Sequence, residues 1–312
     1  MRYTIIIHKA FRASVSAILF STHRKQQCNI SSAPLLSRSR EVAIMFFQDL
    51  KRGLTSISFW IGIVIFAGSI SLVAIGADQQ YTPLAAYHSS FLGQIAYMPS
   101  LLCVLPLGTT FYDEWNSLFY RYSISRVGWA KYIRNRIFSS AILGGLIVMV
   151  SSFTALLFCY TYFTVIPNDA AQDAFFPLMA QDPIMKLWLP GGIEQIMAFS
   201  PMDHVRLEAL YGLSWMLNLF LFGACWSQLG LAVSAWADDW ALILVFPFVF
   251  FILMEWASMQ FGLPLLSTKG IVCQFGELIY YPYWILPMLS IVWGGLFIAF
   301  FILGMRRRRR DE

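Results

Sequence analysis

Trp284-Ile-Leu-Pro-Met-Leu-Ser-Ile-Val-Trp-Gly-Gly-Leu-Phe-Ile-Ala-Phe-Phe-Ile-Leu-Gly-Met305 runs directly into Arg306-Arg-Arg-Arg-Arg310. An uncharged stretch of this length is long enough, at about 1.5 Å per helical residue, to cross about 30 Å of hydrocarbon. The arginines that end it are the flank expected on the cytoplasmic side of a membrane. The segment therefore reads as a membrane-spanning helix, and the remainder of the chain repeats its pattern.

Of 312 residues, 58% are hydrophobic and 12% charged, against about 45–50% and about 25% in a soluble domain. This composition excludes an ordinary soluble enzyme, and 27 Phe, 14 Tyr and 11 Trp exclude a solvated coil. The apolar residues fall into blocks of about twenty, so the expected fold is an all-α integral membrane protein with six transmembrane helices. These lie at about 56–77, 92–112, 137–163, 209–236, 241–258 and 284–305. The connections then sort the basic residues. Nineteen of the 22 fall in residues 1–55, in the connection after the second span and its continuation to Arg136, or in the tail 306–312, leaving Lys186, Arg206 and Lys269 on the other side. Both termini are expected to be cytoplasmic in a cell-membrane protein. The formal charge of +5 is thus explained by span flanks, and no nucleic-acid partner is implied.

Residues 1–40 contain no acid and several Arg, Lys and Ser. The composition is that of a targeting presequence, but no continuous apolar core accompanies it. A basic, disordered extension or a misassigned start, with Met45 as an internal start, is the simpler expectation. From Glu41, Val42, Met45, Phe46, Leu50 and Leu54 recur near helical spacing, while Gln48, Asp49, Lys51 and Arg52 fill the other side. This pattern predicts an interfacial amphipathic helix over 41–55, with the first turns of the first span as the alternative.

Between the second and third spans lies Phe111-Tyr-Asp-Glu-Trp-Asn-Ser-Leu-Phe-Tyr-Arg-Tyr-Ser-Ile-Ser-Arg126, then Val-Gly-Trp-Ala-Lys-Tyr-Ile-Arg-Asn-Arg136. Trp115, Leu118, Phe119 and Tyr122 stand at i, i+3, i+4 and i+7, which predicts a short helix over 113–125 with one aromatic face. Asp113 and Glu114 would occupy its first turn, where the helix dipole favours carboxylates. Such a face suits insertion into a groove on a partner protein, or anchoring at headgroup level.

These residues resemble the membrane subunits of the type-two ABC exporter superfamily. In that family an acid after the second span, a short coupling helix, and then an Arg, a Tyr and a basic residue lead into the third span. Glu114, the helix at 113–125, Arg126, Tyr132 and Arg136 match those positions, with Arg136 where a Lys is more usual. The order of parts over residues 41–305 is also similar, although the outside segment 164–208 is longer than in compact members. The resemblance implies a permease that dimerises with a second copy or a sister permease and docks an ABC ATPase subunit. ATP and Mg would be bound by that partner.

No Gly-x-x-x-x-Gly-Lys-Ser/Thr loop occurs, and Ser267-Thr-Lys-Gly270 reverses its order. The chain is therefore expected to be no enzyme, with no catalytic residue, cofactor or metal of its own. The four His form no His-Glu-x-x-His pattern, the five Cys no paired spacing, and no Gly-x-Ser-x-Gly elbow is present. Asp238-Asp239 reads as a polar turn.

Within the spans, Gly223, Ser227, Gly230 and Ser234 align small side chains for close helix packing, inside the chain or between permeases. Pro106 and Pro247 are expected to kink their helices. Glu255 is the one ionisable residue well inside a span, read as an interfacial acid or a substrate-path residue. The outside segment 164–208 is acidic and apolar, consistent with a packed ectodomain or a membrane-lying cap. Residues 259–283 are apolar enough to hold a partly re-entrant hairpin. The function implied is ATP-driven export of an amphipathic substrate, such as a peptide, an antibiotic or a lipid-like molecule, with membrane lipids as surroundings. The alternative is a non-transporting scaffold or sensor that binds a cytoplasmic regulatory partner.

Overall fold

The computed structural model describes residues 35–76, 86–87, 90–91, 94–106, 108–117, 119–162, 201–237, 239–263, 266–272 and 285–310. Leu118, the extension up to residue 34, residues 164–200 of the expected outside segment and residues 273–283 lie outside the described residues. The described elements are all helical: α1 (Leu35–Leu54), α2 (Ile57–Gly76), a 3-10 turn (Gln94–Tyr97), α3 (Met98–Leu102), α4 (Gly108–Asn116), α5 (Phe119–Val127), α6 (Trp129–Tyr162), α7 (Pro201–Ser234), α8 (Trp240–Phe261), α9 (Thr268–Val272) and α10 (Ile285–Arg310). Residues from Met45 onward form one unit, described here.

Among the described residues, five helices are long and apolar enough to cross a membrane: α2, α6, the Trp215–Ser234 part of α7, α8 and α10. The chain is a multi-pass membrane protein. The second expected span, 92–112, is not a continuous helix. The 3-10 turn leads into α3, which has Pro99 in its first turn, and the chain then breaks before α4. Pro106 causes the break: it has no N–H to donate to the Leu102 carbonyl, and its ring clashes with a continued helix. Leu105 donates its N–H to Leu102 O at 3.3 Å, the tightened geometry of a helix end. The third span is extended at its start, since α6 begins at Trp129 and includes the basic run to Arg136.

The broken segment runs alongside α2. Ser90 donates its hydroxyl to Ile70 O at 3.3 Å, Phe91 packs edge-on to Phe66, Leu105 lies beside Gly62, and Glu114 accepts from Arg52 at 2.9 Å. Its pieces therefore follow α2 from near its C-terminal end back past its start.

α7 is the central helix, packed by α6, α10, α8 and α4. Two features of its sequence allow this. Small residues permit close approach: a Cβ on Gly144 of α6 would come within 2.7 Å of Gly223 O, and one on Gly145 within 2.6 Å of the Phe220 ring. Polar residues bond across the contact, Ser227 Oγ donating to Ser140 O at 2.9 Å and Gln228 Nε2 to Ile137 O at 3.2 Å. Trp226, fully buried, sits among Phe222, Phe251 and Phe297. Trp60, Val64, Leu72, Val245, Leu253, Ile291 and Leu296 face outward, as side chains that meet lipid do.

A second apolar core lies at the end where the basic residues gather. Phe111, Tyr120, Tyr132, Leu231 and Phe301 are buried there, joining α4, α5, α6, α7 and α10. Arg308 of α10 lies over Trp115 and donates to Ala237 O at 2.8 Å, while Arg309 lies over Trp129. Thus the flanks of α1, α4–α6 and α10 meet at one basic end.

Candidate functional site

Arg136 stands two turns into α6 and is buried at 3% exposure. A buried guanidinium must be paired, and two acids from different helices supply the charge. Glu114 of α4 forms a short ion pair with Arg136, and Asp49 of α1 lies 3.3 Å away. Arg52 reaches from the exposed side of α1 to the other Glu114 oxygen at 2.9 Å, and the Tyr132 hydroxyl donates to Glu114 at 3.4 Å. Two acids and two arginines thus form a formally neutral cluster tying α1, α4 and α6 together. Asp49 Oδ2 and Arg136 Nε have no hydrogen-bond partner among the described residues, an exception to the pairing usual for buried polar atoms. Burial pushes the Asp49 carboxyl above its usual range; Arg136 draws it back and Glu114 adds to the rise.

Several expectations change here. Asp49 is not on the solvent side of α1: it is buried beside Gly53, whose Cβ position is closed by Leu143, while Phe47 is exposed. Amphipathic sorting places a carboxylate outward unless a buried cation waits for it, and Arg136 is that cation. The expected helix over 113–125 is two helices. Asp113 and Glu114 fall in the last turn of α4, not in a first turn, so the dipole does not favour them there. Glu114 is held by its arginines. α5 then ends at Gly128, with φ of 84°, a left-handed position that suits glycine at a helix C-terminus.

The break also splits the aromatic face. Trp115 turns inward, stacked on Tyr120 at 3.8 Å and beneath Arg308. Phe119 and Tyr122 on α5 are each 43% exposed, their centroids 6.0 Å apart, and the Arg126 guanidinium lies 5.7 Å from the Tyr122 ring. The basic end therefore presents an exposed patch of Phe119, Tyr122 and Arg126, with Asp113 also exposed, directly connected to the buried cluster through α4.

Of the small residues on α7, Gly223 and Ser227 meet Gly144 and Ser140 of α6, whereas Gly230 faces Val104 and Ser234 bonds back to Leu231 O at 2.6 Å. Glu255 is 7% exposed, accepting from Ser267 Oγ at 3.0 Å and from Lys269 N at 3.1 Å. Ser267 Oγ in turn accepts from Gly270 N at 2.9 Å. The carboxylate thus holds the start of α9, a buried element whose Ile271 carbonyl also accepts from Asn218 at 3.0 Å. Asp239 accepts from Ala241 N at 3.0 Å as the N-cap of α8. Among the described residues, no three His, Cys, Asp or Glu side chains come together as a metal site.

Asp49 and Arg52 were the residues that sequence reasoning missed. The signal available was an acid three residues before an arginine on an amphipathic helix, which is too common to single out. Comparison with protein-family models, curated proteins and solved structures gives no match to this chain.

Proposed function

We propose that this chain is the permease subunit of an ATP-driven ABC exporter, docking a separate ATPase through α4 and α5 at its cytoplasmic, basic end. The observation that carries this reading is the buried Asp49–Arg136–Glu114–Arg52 cluster behind the exposed Phe119–Tyr122–Arg126 patch. A push on α5 would reach α4 through the Trp115–Tyr120 stack and then α1 and α6 through Glu114. Closure of a nucleotide-binding partner needs such a rigid link from a docking helix to the spans.

In this reading the pieces 94–97, 98–102 and 108–116 complete a sixth crossing. The contacts from Ser90 on Ile70 of α2 to Glu114 on Arg52 of α1 support it, as does the gathering of both flanking basic segments at one end. A segmented crossing is tolerable because its broken backbone is buried against α2, α6 and α8. The chain would contribute no catalysis, with ATP and Mg on the partner and a second permease completing the pathway. Glu255, engaged by α9, acts in this reading as a structural acid at the far end.

The test is purification of the full chain from native membranes. An ATPase with a phosphate loop should co-purify, and Phe119→Ala/Tyr122→Ala should lower its recovery about tenfold or more, the cost of removing two exposed aromatic anchors. Loss of a non-ATPase partner would favour the scaffold reading. Undiminished ATPase recovery would overturn the docking face.

A further inference from the structure

The basic end holds a second cationic feature that the docking reading leaves unused. α6 and α10 both pack against α7 and scarcely against each other, and a cleft of about 860 Å³ lies between their basic ends. Arg134, Arg306 and Arg309 line it. All three are exposed, and none makes an ion pair among the described residues. Among the described residues, no acid lines the cleft.

The wall below the arginines is apolar. Arg134, Ile137 and Phe138 stand at i, i+3 and i+4 on α6, while Ile302, Arg306 and Arg309 stand at i, i+4 and i+7 on α10. On both helices the charge therefore sits over hydrocarbon on one face. Phe138 is 56% exposed, a ring that faces the bilayer between the two helices. Trp129, five residues before Arg134 on α6, lies beneath Arg309 at 5.5 Å, an aromatic at headgroup level.

We infer that this cleft binds an anionic glycerophospholipid, its phosphate held by Arg134, Arg306 and Arg309 and its acyl chains lying along Ile137, Phe138 and Ile302. The order of chemistry along the groove matches such a lipid from headgroup to tail, and basic pockets between spanning helices are suited to anionic headgroups. Guanidinium groups pair phosphate oxygens two at a time. A protein partner would find three like charges on a narrow lateral slot, without a polar counterpart to bond.

The inference is independent of the ATPase reading, and so is its test. The purified full chain is titrated in detergent with dioctanoyl-phosphatidylglycerol, dioctanoyl-phosphatidylcholine or inorganic phosphate, with binding read by native mass spectrometry. Phosphatidylglycerol should bind preferentially. Arg134→Ala should weaken it about fivefold, and the triple alanine variant of Arg134, Arg306 and Arg309 about a hundredfold. Arg307→Ala, which removes an equal charge outside the cleft, should leave it unchanged. If the triple variant does not elute as a folded species, the single variant at Arg134 carries the comparison. Equal binding of phosphatidylcholine, equal loss with Arg307→Ala, or displacement by inorganic phosphate at equal concentration would overturn the proposal.

Discussion

Asp49 is a carboxylate that the protein buries at a cost and then compensates with Arg136. Desolvation is the largest influence and raises its pKa, so between the unfolded and folded values the native state binds more protons than the unfolded one. Stability from this residue is therefore fully present below the unfolded value of about 4 and is lost as pH rises through the raised folded value. Asp49→Asn removes that dependence. Its unfolding temperature in detergent, relative to wild type, should be higher at pH 7 than at pH 4, and the reverse order would show that the ion pair outweighs burial. Glu114, Tyr132 and Arg136 were picked out in the sequence by a resemblance to a family motif of an acid, a tyrosine and a basic residue, and the fold brings these three side chains together. Asp49 was not, because periodicity sorts residues by polarity and carries no information about which buried charge will meet them.

The break after α4 rearranges side chains that the sequence places together. Trp115 and Phe119 are four residues apart and would share a face in one helix, yet Trp115 stacks inward and Phe119 faces out. A local pattern cannot anticipate this, since the second core with Phe301 and Arg308 is what draws Trp115 in. The α6–α7 contact is a different case, where small residues at four-residue spacing announce close packing but not the partner. A Cβ on Gly223 would collide with the Gly144 carbonyl, which is backbone and cannot step aside. Gly223→Val should cost about 1–3 kcal/mol and lower the unfolding temperature measured in detergent. Gly68→Ala, where nothing lies within 4 Å, should be neutral or should stabilise by up to about 1 kcal/mol through helix propensity.

On the scale of the molecule, the question is which face each end of the bundle meets. The proposed segmented crossing puts residues 55 and 116 on one side of the membrane and residue 263 on the other. With Cys28 and Cys273 replaced by serine, single cysteines at the exposed positions Thr55, Asn116 and Leu263 separate the cases. In intact cells an impermeant thiol reagent should label Leu263→Cys and spare Thr55→Cys and Asn116→Cys. Because α6, α7 and α8 cross between residues 116 and 263, labelling of Asn116→Cys with Thr55→Cys and Leu263→Cys spared, or of Thr55→Cys together with Leu263→Cys, would mean that the segment 94–116 turns back without crossing.

Hydropathy by itself determined that this chain is helical and lives in a bilayer, because runs such as 284–305 can satisfy their backbone in hydrocarbon only as helices. It also located the scarce charges at the ends of those runs, since the cost of burying them forbids other places. Only the tertiary structure decided that the segment after α2 is broken into pieces, that Asp49 turns inward, and that the aromatic face divides. Each depends on a neighbour distant in sequence: the flank of α2, the Arg136 guanidinium, and the second core between α4, α5 and α10. Local propensity is a property of a few adjacent residues, whereas the pairing of a buried charge or the seating of a ring is settled by whatever the fold brings against it.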